Sequence, residues 1–401
     1  MVADWPARAV ALADELAAAD KLTSPAWRAA VEAVPRHVFV PSFYVRRDGR
    51  MVAVTAADTA TSAEWWETVY ANTALVTKIG QDEPGGPPVF LSSSSTPGLM
   101  TRMLEALDVR DGQTVLEIGT GTGYNAALLC HRMGDQHVFS VDVEPDLLEA
   151  ARARLADLGY HPTLVTADGA EGLAEHAPFD RIIATCSVPA IPCPWIEQIT
   201  LGGVILADIK VGLVAGNLVR LTCTGPDRAE GMFDAGQASF VELRHTPGTA
   251  GQVPYARAAE DTPVTESATL LDPRTPWSNP VVWFLAALRI GGHYRLGYTG
   301  GDPQQGPEAV SLATPDGSRA EITLAADAED GHRVRESGPV RLWQQVEHAH
   351  QRWAAAGRPG WSRLGLAVTP DQQAIYVDEP GSILAVLASE HTPEGTGEEL
   401  R

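Results

Sequence analysis

A glycine-rich turn set between an apolar strand and an apolar helix constrains this chain more than any other feature. The β-branched run Val115-Leu116-Glu117-Ile118 leads into Gly119-Thr120-Gly121-Thr122-Gly123-Tyr124, and Asn125-Ala126-Ala127-Leu128-Leu129 follows at helical spacing. The glycines permit a turn closed to other residues and bring backbone close to a ligand. Strand-like runs then recur at 138–141, 163–165 and 181–183, with a helical stretch at 147–158 between the first two. Apolar strands alternating with helices predict an α/β fold with a doubly wound, mostly parallel sheet of Rossmann-like type. The runs at 202–206, 218–223 and 239–243 read as its last strands, with an antiparallel hairpin closing the series.

The loop chemistry narrows the ligand. Asp142 lies 19 residues after Gly123, the separation at which an acidic side chain accepts from a ribose. A dinucleotide site prefers a third glycine one position later, where this chain has Tyr124, and Glu117 sets a carboxylate beside any phosphate. A cationic ligand without phosphate fits better, and S-adenosylmethionine is such a ligand. Glu117, Gly119, Thr120, Gly121, Gly123 and Tyr124 are then expected at the loop and the methionine end. Asp142 is expected at the ribose with Val143 beside it, and Asp168 with Gly169 at the adenine.

Charge excludes other partners. With 51 Asp and Glu against 30 Lys and Arg the formal net charge is −21, which disfavours a polyanionic nucleic acid. The four cysteines, Cys130, Cys186, Cys193 and Cys223, have no paired spacing and read as reduced core thiols. No apolar run reaches the length of a membrane helix, and Met1-Val2-Ala3-Asp4-Trp5-Pro6 does not read as a secretory signal. A cytoplasmic protein without a membrane partner is expected. His348 and His350 have no ligand partners at metal spacing, so no metal site is expected.

Composition shifts near His245. Residues 1–245 read as the cofactor-binding domain with N-terminal helices, its stretch 41–90 as loops, and 246–262, rich in Gly, Ala and Pro, as a linker. Residues 263–390 read as a smaller α+β domain with helices at 281–290 and 340–356, and 391–401 as a disordered acidic tail.

The chain resembles protein-L-isoaspartate O-methyltransferases over about residues 25–210. The resemblance rests on Val34-Pro35-Arg36-His37-Val38-Phe39-Val40-Pro41, Ser95-Thr96-Pro97, residues 115–129, 138–142, Asp168-Gly169-Ala170-Glu171-Gly172 and 177–183. It implies a class I methyltransferase fold, S-adenosylmethionine as cofactor and Ser95 as the active-site hydroxyl. The hydroxyl-rich run itself makes Ser94 and Thr96 the alternatives, or else a polar cap for the helix at Pro97; Ser93 is expected toward the substrate, and Asn72 either there or in a local turn. The chain departs from the family at Tyr70-Ala71-Asn72, where repair enzymes tend to carry an acidic residue, at the serine run 92–95, and in its C-terminal region. These departures resemble the extended homologues of ribosomal-peptide maturation, working beside ATP-grasp ligases (graspetides) or lanthipeptide synthetases. They imply a macrocyclic precursor peptide whose aspartate is methylated and then closes to an aspartimide. A repair-type methyltransferase with an accessory domain and a non-catalytic peptide scaffold are the alternatives. Arg36 is expected in an ion pair between the N-terminal helices, and Trp65-Trp66 either as a lid or packed on the domain.

Overall fold

The computed structural model describes residues 4–81, 88–212, 214–248, 263–301, 306–327 and 331–387. Most of the expected linker 246–262 and all of the expected tail 391–401 lie outside these residues. The chain opens with α1 (Trp5–Ala18), α2 (Pro25–Ala33) and α3 (Arg36–Phe39). Pro25 at the first helical position of α2 sets φ without removing a needed hydrogen bond. Strands β1 (Ser42–Arg47) and β2 (Arg50–Thr55), helix α4 (Ser62–Val69), strands β3 (Leu75–Gln81) and β4 (Pro88–Ser94), and helix α5 (Pro97–Leu107) follow.

The stretch expected as loops is therefore a four-stranded antiparallel sheet in the order β2-β1-β3-β4. Its signal in the sequence is Asp48-Gly49, both at positive φ, which closes the β1–β2 hairpin with Arg47 opposite Arg50. The serine run is not one loop either: Ser92, Ser93 and Ser94 end β4, and only Ser95 and Thr96 connect it to α5.

The central part comprises β5 (Val115–Ile118), α6 (Tyr124–Met133), β6 (Val138–Asp142), α7 (Pro145–Asp157), β7 (Thr163–Thr166), β8 (Phe179–Val188), α8 (Cys193–Gln198), β9 (Ile199–Lys210), β10 (Gly216–Gly225) and β11 (Arg228–Phe233). The antiparallel hairpin is made by β10 with β11, a run the sequence reading did not pick out, and not by 218–223 with 239–243. Residues 239–243 are no strand; they touch the sheet through one parallel bridge, Ser187 to Glu242.

The C-terminal part comprises β12 (Val264–Thr269), α9 (Thr275–Ser278), α10 (Pro280–Ile290), β13 (Arg295–Thr299), β14 (Ala309–Ala313), β15 (Arg319–Asp327), β16 (Gly331–Ser337), α11 (Leu342–Ala355), β17 (Leu364–Val368), β18 (Gln373–Val377) and β19 (Ile383–Leu387). Strands β12 to β16 make a five-stranded sheet of their own, but β17, β18 and β19 continue the large one. Its order is β19-β18-β17-β11-β10-β9-β8-β5-β6-β7. It is parallel from β7 to β9, as the alternating pattern predicts, and antiparallel from β9 to β19.

One core spans both parts. Helix α10 is buried from Val281 to Ala287, the mark of a helix enclosed on all sides. Phe284 meets Phe233 of β11 at 5.9 Å and Trp361 at 5.3 Å between ring centroids. Cys130, Cys186 and Cys223 are buried free thiols as expected, whereas Cys193 is exposed at the start of α8. No helix among the described residues is long and apolar enough to cross a membrane.

Phe233→Ala removes the ring that joins the two parts, at a cost of about 3–5 kcal/mol. Thermal unfolding is expected to remain a single transition at a lower midpoint. A trace in which a cofactor-binding unit kept its original midpoint would show the parts to be independent.

Candidate functional site

The glycine loop is held from both ends. Gly119 and Thr120 N–H donate to Val141 O at 2.8 and 3.2 Å, and Gly123 N–H to Thr120 O at 2.9 Å. All three glycines have positive φ. At Gly123 an added Cβ would also stand 3.0 Å from the Ala151 methyl, so this glycine lets α6 start close against α7.

Beneath the loop lies a buried polar network. Glu117 accepts from Asn125 Nδ2 at 2.7 Å and Ser140 Oγ at 2.5 Å, and Thr120 Oγ1 stands 2.6 Å from Ser140 Oγ. Burial raises the Glu117 carboxyl to about 7, opposed by these hydrogen bonds and reinforced by the nearby Asp142 charge. Glu117 thus supports the loop from below and does not line the cavity. The Asn125 Oδ1 atom is buried without a partner, and its residue does line the cavity.

Asp142 ends β6 and accepts from Gly121 N–H at 2.8 Å and Glu144 N–H at 2.9 Å. Burial raises its carboxyl, and these two bonds oppose the rise. Each oxygen keeps a lone pair for a ribose hydroxyl. Asp168 accepts from Ala170 N–H at 2.9 Å, and His245 Nδ1 stands 2.8 Å from its other oxygen, so the expected adenine carboxylate faces a histidine. The following Gly169 is forced by space: a Cβ there would meet Ile118 Cγ2 at 2.5 Å.

The opposite wall is the serine run, and one arginine fixes it. Arg36 is fully buried and donates to Val69 O, Ala71 O, Thr73 O and Ser95 O at 2.8–3.2 Å and to Ser94 Oγ at 3.3 Å. The expected ion pair is therefore replaced by carbonyls, because the loops at 69–73 and 94–95 close around the guanidinium. Burial lowers its pKa to about 10, which leaves it charged at neutral pH. With Ser94 engaged by Arg36, the part-exposed Ser95 presents the freer hydroxyl. Trp65 is packed, with Nε1 donating to Val40 O at 3.0 Å, and Trp66 stacks on Tyr70.

Glycine loop and serine run enclose one cavity of about 840 Å³, its open mouth included. Of the expected residues, Ser93, Ser94, Ser95, Gly119, Thr120 and Gly121 line it, as do Tyr124, Asp142, Val143 and Gly169. Glu117, Gly123 and Asp168 do not line it. Thr96 and Asn72 line an adjoining cavity, where Asn72 Oδ1 accepts from Gly98 N–H at 2.8 Å.

Sequence reasoning missed a further wall, residues 241–244, which cross the sheet end and line the cavity. They are fastened through Glu144, which accepts from Arg244, from Lys78 Nζ at 2.7 Å and from Gly248 N–H at 2.7 Å. Burial would raise the Glu144 carboxyl, but Arg244 and Lys78 bring it down to about 2. The only sequence signal was two acids, Asp142 and Glu144, bracketing one valine.

A glycine loop over a parallel sheet, with a carboxylate after the next strand, defines a class I methyltransferase that uses S-adenosylmethionine. A family model for protein-L-isoaspartate(D-aspartate) O-methyltransferase matches residues 51–222. The Methylorubrum populi protein-L-isoaspartate O-methyltransferase is 43% identical over 158 residues, 39% of this chain and 72% of that protein. The Methanothermobacter thermautotrophicus enzyme of the same name is 32% identical over 224 residues, 55% of this chain and 88% of that protein. The chain belongs to the protein-L-isoaspartate O-methyltransferase family and is a carboxyl O-methyltransferase. A solved structure titled protein-L-isoaspartate O-methyltransferase shares its fold, with TM-score 0.52 and 22% identity. That likeness covers 92% of this chain and 99% of the other, so the C-terminal region is not foreign to the family's architecture.

Two predictions follow from the buried groups. Because the folded Glu117 pKa lies above its unfolded value near 4.5, the folded chain binds more protons in that interval. Stability is expected to fall as pH rises from 4.5 through 7, by on the order of 3 kcal/mol, and then level off. Glu117→Gln should flatten that slope in denaturant titrations. Arg36→Lys leaves one ammonium for five acceptors and is expected to cost about 2–4 kcal/mol, read from the denaturation midpoint.

Proposed function

We propose that this protein methylates an aspartate side chain of a cyclised ribosomal peptide and so commits it to an aspartimide. The observation that carries this reading is one cavity shared by the cofactor loop and a serine run held by a buried arginine. Bound S-adenosylmethionine supplies a methyl group on a positively charged sulfur. The residues fit that ligand: Asn125 Oδ1 is an unmatched buried acceptor suited to an ammonium, and Asp142 suits a ribose.

A peptide carboxylate has an ordinary pKa of about 3.9, so it is ionised at neutral pH and needs no base. The task left to the chain is to orient it and keep water out. Ser95, with Ser93, Ser94 and Thr96 around it, offers hydroxyl and backbone donors, and Arg36 keeps their spacing. In the ester formed, the next residue's backbone nitrogen attacks the carbonyl, the nitrogen gives up its proton, and methanol leaves. A macrocycle that holds that nitrogen near the ester speeds closure by proximity. Ala71 in place of the acidic residue usual in repair enzymes, together with the extended serine run, favours this substrate over a generic damaged protein. The repair reading keeps the support of the relatives' names and predicts turnover of short isoaspartyl peptides.

The full chain is to be incubated with S-adenosylmethionine and an ester- or thioether-bridged precursor peptide and followed by mass spectrometry. A transient gain of one methylene and then loss of methanol is expected, with Ser95→Ala slowing the first step at least about tenfold, roughly 1.4 kcal/mol. Turnover of a plain isoaspartyl hexapeptide with no change in bridged peptides would establish the repair reading instead.

A further inference from the structure

The charge balance of this chain poses a problem that the site itself answers. A protein with net charge −21 that acts on a carboxylate repels peptides carrying further carboxylates. Beside the cofactor cavity lies a second, open cavity of about 740 Å³. The two are lined by neighbouring residues of the same segments. Ser95 lines the first and its neighbour Thr96 the second, while residues 241–244 line the first and residues 237–239 of the same segment the second. A peptide whose acceptor sits at Ser95 has this cavity next to it.

Its lining is positive and polar. Lys21 and Arg102 stand on it with Asn72, Thr96, Gln237 and Ser239, and no lining residue is acidic. Ala71, next to Asn72, stands where the resembling repair enzymes tend to carry an acid. Of the acids nearby, Asp20 is exposed to solvent beside Lys21, and two others are engaged. Asp234 is 3.5 Å from Arg102 Nε, and Glu105 Oε1 accepts from Thr23 and Ser24 N–H at 2.8 and 2.7 Å. Arg102 is also fixed in place, since its Nη2 donates to Gln237 O at 3.0 Å and lies 3.4 Å from Gly236 O. Lys21 has no ion pair among the described residues.

We propose that the cavity between Lys21, Arg102 and residues 237–239 is a recognition subsite for an acidic side chain of the peptide substrate, flanking the residue to be methylated. The inference rests on the peptide-methylating function above and adds to it a rule of sequence selection. Lys21 supplies the charge, while Arg102, already paired with Asp234, and the Asn72, Gln237 and Ser239 side chains supply polar contacts. An amide in place of the flanking carboxylate loses the charged part of that contact, and an exposed pair of this kind weakens with salt.

The probes are two fluorescein-labelled nonapeptides, one alternating Asp and Ser and the other Asn and Ser, titrated into the full chain with saturating S-adenosylhomocysteine. The acidic peptide is expected to bind at least fivefold more tightly at low salt, with the gap closing as salt is raised. Lys21→Glu should abolish or invert the preference, and Lys21→Gln should reduce it, with S-adenosylhomocysteine affinity by calorimetry unchanged in both. Arg102→Gln is a second variant at the same wall and should also reduce it. Equal binding of the two peptides by wild type, or a preference that survives Lys21→Glu, overturns the subsite. Loss of S-adenosylhomocysteine binding by wild type would instead overturn the methyltransferase reading on which it rests.

Discussion

The wall of the cavity opposite the glycine loop depends on one guanidinium that water does not reach. Arg36 could have been buried against a carboxylate, and such a pair often does no better than break even after desolvation. Here it is surrounded by carbonyl oxygens from two loops, so each loop satisfies the cation and the cation satisfies loop carbonyls that no regular structure pairs. The arrangement is cooperative: moving either loop strands buried donors and buried acceptors together. It explains how Ser94 and Ser95 keep a fixed place although they lie where a strand gives way to a helix.

The cofactor side is organised by negative charge. Glu117, Asp142 and Glu144 come from one short stretch of the sheet's end, yet their environments divide them. Glu117 is buried among neutral donors and titrates near 7, whereas Glu144 meets Lys78 and Arg244 and titrates near 2. The first props the loop and the second fastens the crossing segment, which leaves Asp142 between them to face the cavity. Three carboxylates of similar sequence context thus serve a foundation, a tether and a contact.

The parallel half of the sheet was legible because buried parallel strands are near-continuous apolar runs and glycine loops are explicit. The cavity positions of Asp142 and Gly169 followed from it, since both stand where strand ends put them. The N-terminal sheet was not legible beyond Asp48-Gly49: its strands are short and exposed in part, with alternation too weak to separate them from loop. Arg36 was legible as a motif member but not in its role, which depends on carbonyls more than thirty residues away. Residues 241–244 escaped because a segment held by one bridge and one ion cluster has no periodicity to read.

The way the large sheet is completed has a consequence for how the chain comes into being. β11 is finished at residue 233, but its outer neighbour β17 begins only at residue 364. While a ribosome makes the residues between, the growing polypeptide holds a nearly complete cofactor half with a bare row of edge amides and carbonyls. That edge can pair with any other unfinished copy emerging beside it. The five-stranded sheet and helices α10 and α11 are synthesised in that interval, and α10 is the piece whose Phe284 comes to lie on β11's Phe233. In the folded chain it covers the sheet face next to that edge.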